Sequence, residues 1–217
     1  MNGVSELDPG NATDVDHVAR LYEQFLPTSP VVRLGPRFLR EFFFTRLVRD
    51  DLLGALVCRI EGRVVAFVSW TDHPADFIGR GIKRHFLALS WIMLRSIASR
   101  PVFVRDLVAT LRMVSKRSGD GGEAPAPATI EAISLVVPPE FQRHVPPGGT
   151  ARLTVRLVRE LATAARARGV RRVLYVVQPS NTASCIFFSG MGCDFEKRTY
   201  AGEAVYVYTH ELSETSA

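Results

Sequence analysis

The start of the chain changes from the hydrophobic period of a strand to that of a helix. Val4–Leu7 predicts a short strand. Residues 11–26 then place apolar side chains every three or four positions, behind an asparagine or threonine that can cap a helix. A second helix is predicted over Pro36–Val48, with proline in its first turn. Two β-rich runs that meet at Glu61 and Gly62 predict a hairpin.

A long segment after this hairpin has a different pattern. Residues 76–114 are apolar with helical spacing, and residues 115–129 ("SKRSGDGGEAPAPAT") are of low complexity. We therefore expect a helical insertion and a flexible Gly/Pro-rich loop over residues 76–128. Core packing, a cover over an acceptor site, a homodimer face and contact with an anionic membrane all remain open as roles for residues 76–114.

A strand–helix–strand unit is predicted in the C-terminal half. Residues 129–137 ("TIEAISLVV") and 171–177 ("RRVLYVV") have the composition of buried strands, and Thr150–Arg168 is an amphipathic helix that stops at Gly169. Such a connection joins parallel strands by a right-handed crossover.

The chain ends with a short helix and a second hairpin. The helix is predicted between Asn181 and Ser189, and the strands at Asp194–Ala201 and Val205–Glu211. The order of elements is that of a mixed α/β protein.

Composition and charge limit the class of protein. The 217 residues are 47% hydrophobic and 23% charged, which predicts a single domain over residues 1–217. Three cysteines without Cys/His clusters predict neither a disulfide framework nor a metal site. We find no signal peptide and no membrane-spanning run, and therefore expect a cytoplasmic protein. A net charge of +5 and a pI near 9.4 favour an anionic ligand or surface.

The loop "QRHVPPGGTAR" before the helix at 150–168 has the chemistry of a phosphate site. Glycines allow backbone amides to approach a ligand, and the first turn of a helix presents unpaired N–H groups with partial positive charge. A rigid surface turn with solvated arginines explains the same residues. The candidate ligand-binding residues are Gln142, Arg143, His144, Gly148, Gly149, Thr150, Ala151 and Arg152.

A strand that leads into Gln142 and Arg143, then "GTA" at 149–151 and a helix, resembles the first signature of the GNAT superfamily of acetyl-coenzyme-A-dependent N-acetyltransferases. That signature has Arg/Gln-x-x-Gly-x-Gly/Ala between strand and helix. This chain departs from it, because Arg143 lies six residues before Gly149 instead of three. Either the loop is about three residues longer than the family pattern, or Pro146 and Gly148 hold the glycine positions.

Asn181, Ser184, Phe188, Gly192 and Cys193 match a second pattern of that family. The resemblance implies that Asn181 fixes the pantetheine arm of coenzyme A, with Ser184 and Phe188 beside it. Phe188 stands where family members commonly have a tyrosine that acts as general acid. A phenyl ring cannot donate a proton, so the usual acid is absent.

The resemblance implies an α/β fold: a mixed, mostly antiparallel twisted sheet with splayed parallel central strands, flanking helices and a helical insertion. It also implies that acetyl-CoA pairs with backbone groups of Leu135, Val136 and Val137, which polarise the thioester carbonyl. Glu131 falls where some relatives have a base that takes the proton of the acceptor amine. A carboxylate at the strand edge that faces water explains Glu131 equally.

Three functions follow from the resemblance. The first is direct acetyl transfer, without a metal, to a primary amine of a small molecule, such as an amino sugar or a nucleotide-linked amino sugar. The alternatives are a protein or peptide N-acetyltransferase and a non-catalytic acyl-CoA-binding module. Nucleic acid is not expected as a partner, because the basic residues are scattered and form no known module.

Overall fold

The N-terminal part forms a strand, a capped helix and a helical stretch of changing pitch. The computed structural model describes residues 3–99, 128–145, 151–200 and 202–212. Strand β1 spans Gly3–Glu6 and helix α1 spans Ala12–Phe25. The side chain of Asn11 caps α1, because its Oδ1 accepts the backbone N–H groups of Thr13 and Asp14 at 3.2 Å each.

The single helix predicted over Pro36–Val48 is wrong. A 3₁₀ turn at Val32–Leu34 leads into α2 (Gly35–Arg37), a π-helical segment at Phe38–Phe43 and α3 (Arg46–Arg49). The reason lies in three consecutive phenylalanines, residues 42–44, which are all fully buried. In an α-helix, which turns by about 100° per residue, three successive side chains spread over about 200°, whereas the wider turn of a π-helical segment brings them closer to one side.

The predicted hairpin is confirmed. It consists of β2 (Gly54–Ile60) and β3 (Arg63–Thr71), with Glu61 and Gly62 in the turn at φ values of 52° and 77°. Trp70 packs so closely on Gly54 that a Cβ atom there would lie 2.2 Å from the indole ring. Two helices follow, α4 (Phe77–Arg84) and α5 (Phe86–Ser99).

The C-terminal half has the predicted strand–helix–strand order. Its strands are β4 (Thr129–Val136), β5 (Arg172–Val177), β6 (Asp194–Tyr200) and β7 (Glu203–Glu211). Its helices are α6 (Pro139–Gln142), α7 (Leu153–Ala167) and α8 (Thr182–Gly190). Helix α7 starts at Leu153 and not at Thr150, while Gly169 ends it as predicted with a φ of 73°.

The seven strands found among the described residues form one sheet in the order β1-β2-β3-β4-β5-β7-β6. Every neighbouring pair is antiparallel except β4 and β5, which are parallel. Their pairing covers only Thr129–Ala132 against Arg172–Tyr175, so the two strands separate beyond Tyr175. Ile133 is an extra residue opposite β3, since Ser69 faces Ser134 and Trp70 faces Ala132. This bulge bends β4 at the point of separation.

Hydrophobic clusters cover both faces of the sheet. One contains residues of α1, the π-helical segment, α4 and α5, and the other contains the buried sides of α7 and α8. Among the described helices, none is long and apolar enough to cross a bilayer. The mixed sheet with splayed central strands and flanking helices is the predicted fold class.

Candidate active site

A cavity of about 690 Å³ lies where β4 and β5 separate. Its wall combines the end of α1 and the loop after it, the second half of β4, the end of β5, and the first turns of α7 and α8. The splay produces this cavity directly, because a parallel pair that stops pairing leaves one edge of each strand without a partner strand.

The second half of β4 provides one wall. Leu135 and Val137 line the cavity, while the side chain of Val136 lies in the core on the opposite face. β5 pairs with β4 only as far as Ala132, so the β5-facing backbone edge of residues 135–137 lies along the cavity. Backbone groups in this position can pair with an extended ligand as an additional strand would.

The starts of α7 and α8 form the second wall. Arg152 immediately precedes α7, Thr154 and Val155 lie in its first turn, and no side chain among the described residues caps that turn. Asn181 caps α8 by accepting the backbone N–H of Ser184 at 3.1 Å, and both residues line the cavity. Two helix N-termini with an adjacent guanidinium make this wall electropositive and suited to a phosphate-bearing ligand.

The predicted phosphate loop is described only in part. Gln142 lines the cavity and donates from Nε2 to the carbonyl of Val137 at 3.2 Å. The carbonyl of His144 accepts the N–H of Leu153 at 3.0 Å and thereby fixes the start of α7. Arg143, His144 and Ala151 are not part of the cavity wall. Gly148, Gly149 and Thr150 lie outside the described residues, so their predicted role stays a prediction.

The third wall comes from the end of α1 and the loop after it. Tyr22, Phe25 and the loop residues 28–30 line the cavity, and the Tyr22 hydroxyl lies 3.0 Å from the Ser29 hydroxyl. Trp70 on β3 is not part of this wall and packs in the core. Ser134 adds a hydroxyl on β4, 2.5 Å from that of Ser69.

Phe188 on α8 lines the cavity and is buried against an aromatic side chain, Tyr175, that the sequence did not indicate. Its ring stacks on Tyr175 with centroids 4.2 Å apart. Both residues line the cavity, and the Tyr175 hydroxyl is buried with no hydrogen-bond partner in the described part of the chain. Burial raises the pKa of Tyr175 far above its usual value, so the phenol remains neutral. The alternation of β5 could have placed Tyr175 on the face of α8, but nothing in the sequence marks where β4 and β5 separate.

Glu131 lies just outside the cavity. Its side chain is 3% exposed, and its neighbours across the sheet are Thr71 on β3 and Leu174 on β5. Glu131 therefore lies within the stretch over which β4 and β5 are paired. The next residue, Ala132, lines the cavity. The alternative of a carboxylate that faces water is wrong for this position. Among the described residues, the cavity wall contains no carboxylate and no imidazole.

Neither a family model nor a curated protein matches this chain, whereas solved structures match almost its whole length. An aminoglycoside acetyltransferase in complex with coenzyme A and kanamycin is 10% identical, with 97% of this chain and 95% of that one covered and a TM-score of 0.58. An N-acetyltransferase from Staphylococcus aureus Mu50 is 12% identical, with 98% and 99% covered and a TM-score of 0.55. A protein of the GNAT family from Desulfovibrio desulfuricans is 13% identical, with 98% and 100% covered and a TM-score of 0.54. Likeness at these identities demonstrates a shared fold.

Proposed function

This chain has the fold of the GNAT acetyltransferases, and we propose that it transfers an acetyl group from acetyl-CoA to a primary amine of a small molecule by direct attack in a ternary complex. One observation carries the proposal. One cavity is lined both by the electropositive starts of α7 and α8 and by the end of α1 with the loop after it. These two parts of the wall meet where β4 and β5 separate. A donor bound from one side and an acceptor bound from the other would meet there.

The donor would be held mainly by main-chain groups. Asn181 orients the pantetheine arm, and the first turn of α7 with Arg152 binds the pyrophosphate. The exposed backbone edge of Leu135, Val136 and Val137 pairs with the arm, so that an N–H group there polarises the thioester carbonyl. These groups are positioned before the ligand arrives, which is the condition for effective stabilisation of an oxyanion.

The proton of the acceptor amine needs a base, and Glu131 is the proposed one. Glu131 precedes Ala132 of the cavity wall and is not itself in the wall, so in this proposal it acts through a water molecule in the cavity. The leaving thiolate needs less help. A thiol with a pKa near about 8.5 is a tolerable leaving group, which is compatible with phenylalanine at position 188.

The acceptor that suits the third wall is an amino sugar, free or linked to a nucleotide. Phe25 provides aromatic surface, and Tyr22, Ser29 and Ser134 provide hydroxyls among the lining residues. This combination fits a ring that carries an amine and several hydroxyl groups. Kanamycin, an aminoglycoside and so a compound of this chemical class, is bound together with coenzyme A in one of the similar structures.

The test has two stages, binding and turnover. Acetyl-CoA at about a hundred times its dissociation constant is expected to stabilise the chain by about 2.7 kcal/mol, measured as a thermal shift. Release of free coenzyme A is then measured with a panel of amino sugars, polyamines and lysine peptides. Turnover with amino sugars alone supports the proposal. No thermal shift with acetyl-CoA or coenzyme A contradicts both binding and transfer.

A non-catalytic acyl-CoA-binding role is the second candidate, favoured by Phe188 and by the lack of a carboxylate or imidazole among the described lining residues. Binding of acetyl-CoA without turnover of any amine in the panel would select it.

A further inference from the structure

Helix α5 is apolar on two sides, and only one of them is needed for the core. Leu89, Ile92 and Met93 are buried in the cluster that also contains the π-helical segment. On the outer side, Phe86, Leu87, Trp91 and Leu94 are exposed by 63%, 83%, 59% and 58%. These four are the majority of the seven large hydrophobic residues exposed in the described part of the chain. A helix that is apolar all round is normally covered on every side.

The charged residues of α4 and α5 themselves have one sign. Residues 77–99 contain Arg80, Lys83, Arg84 and Arg95 and no aspartate or glutamate. Arg80 and Arg84 pair with Asp76 and Asp50 outside α5, whereas Lys83 is exposed one turn before Phe86. Arg95 lies over the ring of Trp91, 5.9 Å from its centroid, and so places a cation beside the apolar face.

We propose that the outer face of α5, formed by Phe86, Leu87, Trp91 and Leu94, docks on the surface of an anionic lipid bilayer. A helix that presents tryptophan, phenylalanine and leucine with flanking lysine and arginine lies in the interface plane, with its apolar side among the acyl chains and its cations at the headgroups.

Charge distinguishes the bilayer from a second copy of this chain. A two-fold contact through α5 would bring the surface that carries Lys83 against the same surface of the other copy, and neither α4 nor α5 has an acidic residue that could balance this charge. Like charges in one interface oppose association. Residues 100–127 contain five basic residues and only three acidic ones, so they do not offer the negative charge that would complement this face. An anionic surface satisfies both the apolar and the electrostatic character of the face.

The experiment measures cosedimentation of the full chain with vesicles of phosphatidylcholine alone and of phosphatidylcholine with about one third phosphatidylglycerol. Binding is expected only to the anionic vesicles and is expected to weaken in high salt. The double variant Leu87→Ser and Trp91→Ser should lower the bound-to-free ratio by about tenfold or more. The matched control is Ile186→Ser, which removes an equally exposed apolar side chain from α8 and should bind as the parent chain does.

A second pair of variants tests the charges. Lys83→Glu should reduce binding to anionic vesicles, whereas Arg63→Glu, the same reversal of charge at an exposed site on β3, should not. Urea unfolding of each variant confirms that the fold is retained.

Absence of binding to anionic vesicles, or equal binding by the parent and the double variant, overturns the proposal. A dimer in sedimentation equilibrium that the double variant abolishes, without vesicle binding, identifies a second copy as the occupant and overturns it as well.

Discussion

Glu131 is a buried carboxylate in the closed part of a sheet, one residue from the point where that sheet opens. If it accepts the proton of the amine through water, Glu131→Gln should lower the rate of acetyl transfer by about 100-fold, because the amide keeps the shape and loses the basicity. Affinity for coenzyme A, measured by calorimetry, should change little. The control is Glu140→Gln, which removes an exposed carboxylate from α6. Full activity of Glu131→Gln would assign a structural role to the carboxylate.

Tyr175 is a buried phenol whose hydroxyl has no partner among the described residues. Burial raises its pKa in the folded protein, whereas an unfolded chain loses this proton near pH 10. The contribution of Tyr175 to stability is therefore complete below about pH 10 and decreases as the pH rises further. Tyr175→Phe should match or exceed the parent in free energy of unfolding at pH 8 and gain about 1.4 kcal/mol relative to it by pH 11. Urea titrations at both pH values measure this, and a constant difference between the proteins would contradict it.

At the scale of elements, α4 packs through a glycine on α3 and on the π-helical segment. A Cβ atom on Gly81 would lie 2.2 Å from Cδ2 of Leu47 and 3.2 Å from Cζ of Phe42, and both side chains are fully buried. Gly81→Ala should therefore destabilise the protein by about 1–3 kcal/mol. Gly79 in the same helix has no atom within 4 Å of the corresponding position, so Gly79→Ala should be neutral or stabilising by up to about 1 kcal/mol. The midpoints of urea unfolding of the two variants test this contrast. Equal midpoints would show that α4 shifts to accommodate the added methyl group without loss of stability.

The elements that the sequence predicted well are those in which local chemistry is sufficient. Asn11 before α1, the Glu61–Gly62 turn and Gly169 after α7 each determine a boundary through their own backbone or side chain. The π-helical segment could not be predicted, because its pitch changes to bury three successive phenylalanines in a core formed by distant parts of the chain. Tertiary packing overrides the local period there.

At the scale of the whole molecule, the order of elements and two motifs were enough to predict the fold, since a crossover helix fixes β4 and β5 as parallel neighbours. The position of the splay was not predictable from the residues. It depends on a bulge at Ile133 and on the length over which β5 pairs with β4, and neither has a local sequence signal. Asn181 and Ser184 could be assigned to the site from their sequence motif. Tyr175 belongs to no motif, and its position at the cavity depends on where the two strands separate, so it could not be assigned from the sequence.

The two tryptophans of this chain lie in opposite environments, and the contrast makes them separate optical probes. Trp70, 3% exposed beside Gly54, should emit at short wavelength while the sheet is intact. Trp91, 59% exposed on α5, should emit at long wavelength and be quenched by acrylamide in water. In a Trp91→Phe chain the remaining emission reports the integrity of the sheet alone. In a Trp70→Phe chain, a blue shift on addition of vesicles, or quenching by brominated lipids, would report how deeply α5 enters the bilayer.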